Sequence, residues 1–421
     1  MQNKSYSDIL DFIEENDVKF VRLAFCDVFG TVKNMSITAE ELETAFTKGI
    51  RFYPKGFTTQ EPELYLHPIA STIMLLPWRP RQSSVIRFFC EIRKADDSVF
   101  ECDSRYLLRQ AMDRAAKMGL TCDIGTDSEF YLFQQDENGL PTTVPFDMAG
   151  YLDVAPLDKC ENIRREICLT LEEMGIQPYS SHHEQGPGQN EIDFKHSEGI
   201  TAADNFLNFK LVVKALAERN GLYATFMPKP LDHKSCSGLH MDIKLRAIDN
   251  RPVSAERRLF ALGVYEKIRE MTAFLNPTIN SYDRLASFNN PKKITMSKNK
   301  ITSTVRIIEK DGEWKRIKLR SADSSCNPYL AFSLIIHAGL DGIERGYPDT
   351  KYKLLKEESR YEFPQNLKEA IEIAANSKFV KNVLTPELIK EHVKQAEAVI
   401  AMVQKAQDKE AIVKELYFAF I

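Results

Sequence analysis

The sequence predicts an α+β protein in which a small sheet-rich region, residues 1–102, precedes a larger region, residues 103–421, mixing helices with strands. Three observations predict it. Short β-rich runs, Phe20 to Phe25 and Val85 to Cys90, enclose a loop-rich stretch holding Pro54, Pro62, Pro68, Pro77 and Pro80. At Asp103 the apolar spacing becomes helical. Beyond it, several segments alternate polar and apolar residues with a period of two.

The elements follow in order. Asp103 is a plausible N-cap for a helix that places Leu108, Ala111 or Met112, Ala115 and Met118 on one face and stops at Gly119. In Asp127 to Phe133 the alternation puts Asp127 and Glu129 on one side of a strand and Phe130 and Leu132 on the other. Glu191 and Asp193 share a side in the same way, as do His240, Asp242 and Lys244. Arg316, Lys318 and Arg320 line up as three cations on one face, which costs like-charge repulsion unless anions lie opposite. The C-terminal stretch reads as helix, with Leu367, Ala370, Ile371 and Ala374 at core spacing.

Composition narrows the class. A chain of 421 residues, 43% hydrophobic and 28% charged, can bury a large core and divide into two or more domains. A net charge of −4 with scattered basic residues leaves no footprint for nucleic acid. The eight cysteines form no CxxC pair, no secretory leader precedes the first helix-like segment, and no apolar run reaches membrane-spanning length. These features lead to an expectation of a cytoplasmic protein without membrane or nucleic-acid partners.

The run from His182 to Phe194 concentrates His182, His183, Glu184, Glu191 and Asp193 around Gly186-Pro187-Gly188. Chains bury carboxylates reluctantly unless cations or hydrogen bonds satisfy them, so Glu184 and Glu191 point to a hard cation, magnesium or manganese. The plain alternatives are a polar surface hairpin here and one-face-wet antiparallel strands elsewhere. Against them, the strands separate by sign, two acidic and one wholly cationic, whereas a solvated face mixes charges within each strand. A cavity holding metal and phosphate accounts for that separation.

Gly125 to Phe133, His182 to Lys195, Ser237-Gly238-Leu239-His240, Asn276 to Leu285, and Arg320 through Cys326-Asn327-Pro328-Tyr329-Leu330-Ala331-Phe332 together resemble the glutamine synthetases. The resemblance covers nearly the whole chain. It implies an N-terminal β-grasp domain, a C-terminal catalytic domain with a curved antiparallel sheet flanked by helices, and a homo-oligomer of stacked rings, commonly of twelve subunits. The implied reaction is ATP-dependent: the γ-carboxylate of glutamate takes the terminal phosphoryl group, and an amine then displaces phosphate from the acyl phosphate.

Position by position, the resemblance makes Glu129, Glu184 and Glu191 ligands of one Mg2+ or Mn2+ ion. Asp127, His240 and Lys318 fall where a second ion's glutamate, histidine and glutamate stand in the family, so Lys318 replaces an anion by a cation. One possibility is that the Lys318 ammonium takes that ion's place and pairs with Asp127. Arg284 and Arg320 match the arginines that clamp glutamate, with Cys236, Gly238 and His240 beside them. Arg306 and Arg316 match cations near nucleotide and transferred phosphoryl group. Lys300 stands for a further arginine, and Asp242 and Lys244 for a nucleotide-contacting histidine and a serine. Ser235-Cys236 replaces an Asn-Gly pair of the glutamate pocket.

Tyr151 and Glu184 survive at the ammonia end. Two acids there do not. A flap glutamate reads Asn290, which cannot act as a base, and an N-terminal aspartate loop aligns with Phe52-Tyr53-Pro54-Lys55-Gly56. Beside the ligase, using ammonia or another amine, two readings stay open: a catalytically impaired relative serving as a sensing, regulatory or structural assembly, and an enzyme for a different carboxylate. His182 and His183 read as supports rather than ligands, and Cys236 as an inert thiol.

Overall fold

Residues 5–54, 63–79, 82–287, 293–347 and 361–421 are described by the computed structural model. Helix α1 (Tyr6–Glu15) starts on a capping box between Ser5 and Asp8. It leads into β1 (Val18–Cys26), whose Val21, Leu23 and Ala24 are buried. This strand forms a hairpin with β2 (Val32–Thr38) and lies parallel to β6 (Ser84–Arg93). Helix α2 (Leu42–Thr47) crosses to β3 (Ile50–Phe52) and β4 (Leu64–Pro68), and the sheet runs β2-β1-β6-β4-β3, with β5 (Met74–Leu75) paired to β6. The middle strand β6 is apolar along most of its length because both its faces are covered.

Asp103 caps α3 (Ser104–Lys117) by accepting from the Arg105 amide, and Gly119, at φ +71°, turns the chain into β7 (Leu120–Gln135). The second sheet has ten strands. Its main path is β15 (Met296–Ser297), β16 (Val305–Lys310), β17 (Glu313–Leu319), β13 (Leu239–Ala247), β7, β10 (Gln189–Phe194) and β9 (Pro178–His183). The long β7 also pairs with β8 (Pro141–Pro145), β11 (Ser197–Glu198) and β12 (Leu222–Thr225). Apart from the parallel β15–β16 pair, these strands run antiparallel.

Helices α4 (Glu161–Glu173), α5 (Gly199–Arg219) and α6 (Ser254–Leu275) pack against this sheet, α8 (Pro328–Arg345) packs on α3, α5 and α6, and α7 (Ile279–Ala286) follows α6 closely. One apolar cluster runs continuously from the first sheet through the second to the C-terminal helices α9 (Leu367–Asn376), α10 (Lys378–Val383) and α11 (Pro386–Lys405). Leu367, Ala370, Ile371 and Ala374 belong to it, as their spacing requires.

The two sheets are also tied by the Asn327 motif. Its side chain caps α8 and donates from Nδ2 to the Asp27 carbonyl at 2.9 Å. That approach needs Gly30: its φ is +83°, and a Cβ there would lie 2.7 Å from Asn327 Cα. Among the described residues no helix is long and apolar enough to cross a membrane.

Candidate active site

Sheet register assembles the site. Across β7 and β10, Glu129 faces Glu191 and Asp127 faces Asp193. Across β7 and β13, Asp127 faces His240, and across β13 and β17, Asp242 faces Lys318. Four strands that are distant in sequence thus lay their polar faces side by side. Beside these strands a cavity of about 490 Å³ opens, and Glu129, Glu184, Cys236, Gly238, His240, Arg284 and Arg320 all line it.

The acidic side is held firmly. Glu129 Oε2 accepts from the Gly238 amide at 2.9 Å and from Gln189 Nε2 at 3.2 Å. Burial, and then the charge of Glu184, push its carboxyl up to about 7. Glu184 accepts from His182 Nε2 at 3.1 Å and from the Gln185 amide at 3.0 Å, and these bonds outweigh its burial and hold it below the usual carboxylate range. Glu191 is pushed far upward, by burial first and then by Glu129 and Asp193. Crowded acids of this kind fit a divalent cation, whose charge would relieve both effects. His182, Glu184 and Glu191 already bring a ligand atom each to within 4.8 Å of one another.

His183 supports the loop from beneath. It is buried, its Nε2 lies 2.9 Å from Asp147 Oδ1 and its Nδ1 2.7 Å from the Glu184 carbonyl. Both partners are acceptors, so the ring stands as imidazolium, consistent with a value raised against its burial by Asp147. The same Asp147 accepts from the Gly188 amide, fixing both ends of the turn. Neither histidine lines the cavity.

Opposite stand the cations. Arg284, on α7, is buried, donates to the Ser321 carbonyl and lies 3.7 Å from Asp323. Arg320 is fixed through its amide to the Thr304 carbonyl at 2.9 Å. Its guanidinium makes no hydrogen bond or ion pair among the described residues. Burial, then Arg320, Lys318 and Arg284, hold His240 well below the usual histidine range, so its ring is neutral with a lone pair to offer.

Other predicted residues lie behind or beside the cavity. Lys318 donates to Asp127, Arg306 faces Lys318 from β16, and Arg316 pairs with Asp242 at 2.9 Å. Lys244 faces Asp123 in the register. Tyr151 is exposed and meets the His182 ring edge-on at 5.6 Å. Lys300 is exposed on a turn outside the lining. Cys236, raised by burial, donates to Ser287 Oγ at 3.3 Å, as suits an inert thiol. Asn290, Lys55 and Gly56 lie outside the described residues.

Lys229, His233 and Lys234 join the lining without having been singled out by sequence. The signal was Pro228-Lys229-Pro230, a lysine between two prolines just before Ser235. Asn280 fixes it, accepting from the Lys229 amide at 2.7 Å and donating to its carbonyl at 3.0 Å. Tyr131, on the same face of β7 as Glu129, holds the Ser235 carbonyl at 2.7 Å. Tyr131→Phe is expected to destabilise the chain by about 1 kcal/mol, read as a lower urea midpoint.

The chain matches known proteins over most of its length. The family model described as "Glutamine synthetase, catalytic domain" matches residues 101–412, and "Glutamine synthetase, beta-Grasp domain" matches residues 17–95. The chain is 38% identical to a glutamine synthetase of Clostridium saccharobutylicum, covering 91% of this chain and 92% of that one. To one of Methanosarcina mazei it is 40% identical, over 90% of each. Among solved structures, ligand-free GmaS superposes with a TM-score of 0.84 at 26% identity, covering 96% of this chain and 97% of that one. A Plasmodium falciparum glutamine synthetase gives 0.86 at 21% identity over 97% and 98%, a likeness of fold.

Proposed function

Because the chain belongs to the glutamine synthetase family, we propose that it is an ATP-dependent ligase that activates the γ-carboxylate of glutamate as an acyl phosphate and joins it to ammonia or another amine. The observation that carries this reading is the cavity, which Arg284 and Arg320 line together with Glu129 and Glu184, with Glu191 facing Glu129 across the strands. Arginine forks suit substrate carboxylate and phosphoryl oxygens, and the carboxylates suit a divalent ion.

In this reading Arg284, anchored by Ser321 and Asp323, orients the substrate carboxylate, and Arg320 meets the phosphoryl charge. Cys236 and Gly238 border the glutamate end. Arg306, Arg316, Lys300, Asp242 and Lys244 flank the nucleotide, and the buried Nε of Arg306, without a hydrogen-bond partner among the described residues, is a donor such a ligand would satisfy. Glu129, Glu184 and Glu191, with the neutral His240 nearby, hold Mg2+ or Mn2+. Bound there, the ion would withdraw negative charge from phosphoryl oxygens. Tyr151 and Glu184 face the incoming amine. The likeness to GmaS, a γ-glutamylmethylamide synthetase, supports keeping amines larger than ammonia among the candidates.

The proposal includes a cytoplasmic homo-oligomer of stacked rings. Met148, Tyr151, Leu152, Val154 and Leu157, exposed apolar side chains of one short segment, support an oligomer, since a subunit contact would take them out of water. A second reading, an impaired relative acting as a sensor or structural assembly, is favoured by the Lys318–Asp127 pair.

Phosphate release separates them, measured with ATP and Mg2+ or Mn2+, with and without glutamate, and with ammonium against larger amines. Release that requires glutamate and rises with one amine is the expected result. No release in any combination, with nucleotide or glutamate still binding, would replace the ligase by the sensor.

A further inference from the structure

Two groups of acidic side chains meet at Glu191. Glu184 and Glu191, with His182, form one, and Asp127, Glu191 and Asp193 form the other, each with ligand atoms within 4.8 Å of one another. They differ in what already neutralises them. In the first, the neighbouring group is the His182 ring, hydrogen-bonded to Glu184. In the second, a lysine reaches one member, Asp127.

The register explains how. Lys318 sits on β17, faces Asp242 on β13, and sends its ammonium past that strand to donate to Asp127 Oδ2 on β7. Its flanking cations are engaged or turned elsewhere: Arg316 pairs with Asp242, and Arg320 lines the cavity. Asp193, only 7% exposed, accepts from Ser180 through Oδ2, while its Oδ1 is buried with no hydrogen-bond partner among the described residues. A buried carboxylate oxygen left in this way, with the Glu191 carboxyl beside it, is costly unless positive charge is near.

We infer that Lys318 is a built-in cation. Its ammonium supplies the charge that Asp127, Glu191 and Asp193 would otherwise draw from a second divalent ion, so each chain holds one exchangeable ion, on the Glu129, Glu184 and Glu191 side. The inference rests on the ligase reading for its purpose but not for its test. An ammonium and a divalent ion cannot both sit on one carboxylate without strong repulsion, so the lysine excludes the ion. Unlike a metal, it accepts no ligand electrons; it offers three N–H donors and a point charge to phosphoryl oxygens, and a chelator cannot remove it.

Counting bound Mn2+ on the full-length protein, from the electron paramagnetic resonance of the free ion after equilibrium dialysis, tests this directly. Wild type is expected to hold one tight ion per chain. Lys318→Met, similar in bulk but uncharged, is expected to hold two, and Lys318→Glu two with higher affinity at the second. Asp127→Asn in the Lys318→Met background should return the count to one. Two tight ions in wild type would overturn the inference, and so would a single ion in both Lys318 variants, whose folding is checked by circular dichroism. Glutamate-dependent phosphate release by wild type judges the ligase reading separately, so either can fail alone.

Discussion

Arg320→Gln is expected to lower kcat/KM for glutamate-dependent phosphate release by about 10²–10³-fold while leaving the fold intact, the usual scale for one preorganised charged donor in a water-poor site. The structure makes this residue a clean test. Its amide is fixed to Thr304, so the backbone keeps its path whatever the side chain, and its guanidinium has no protein partner among the described residues to abandon. Arg284 is the contrasting case. It is 1% exposed beside a fully buried Asp323, so removing it leaves that carboxylate with its hydrogen bonds from Asn276 and Ser325 but without its neighbouring cation, at about 3–5 kcal/mol, and lost activity would be hard to separate from lost stability. Titrating ATP and glutamate separately divides the effect. A fall mainly in kcat assigns Arg320 to charge that develops during transfer, and a rise in KM for glutamate assigns it to substrate binding. Unchanged turnover and KM would remove Arg320 from the site.

The polar faces of these strands were legible because alternation survives in one dimension. Asp127, Glu129 and Tyr131 share a face of β7 by period alone, and Asp103, Gly119 and the C-terminal apolar spacing mark helix ends and a core stripe in the same way. The segregation of charge between strands has a counterpart in the sheet, where the cationic β17 lies two places from the acidic β7. Period does not tell which strands are neighbours or in what register. Nothing local reveals that Arg316 pairs with Asp242, or that Lys318 reaches across β13 to Asp127. The rim is of a third kind. Lys229 and His233 enter the cavity because a loop is fixed by distant groups, Asn280 and Tyr131, and His233 sits at φ +57°, a backbone choice its neighbours in sequence do not announce.

Glu191→Gln is expected to have opposite effects on stability and function. In the metal-free chain the Glu191 carboxyl is held far above its ordinary 4.5, by burial first and then by Glu129, Asp193 and Glu184. The folded chain therefore binds this proton more tightly than the unfolded chain. The benefit is fully present below pH 4.5 and is lost progressively as pH rises towards the folded-state value, so metal-free wild type should become less stable from about pH 5 to pH 9. Glutamine keeps the shape without the charge, and at pH 7 the variant should be more stable in the presence of a chelator by about 1–3 kcal/mol, with a flatter pH profile. The same substitution removes an acid from both carboxylate groups, so added Mn2+ should raise the melting temperature of wild type but barely that of the variant, and phosphate release should fall by at least about 10²-fold. Thermal melts across this pH range, with chelator and with Mn2+, check both halves. A chelated variant that melts below wild type at pH 7 would mean that the acids are not in conflict, and that Glu191 serves the fold before it serves a metal ion.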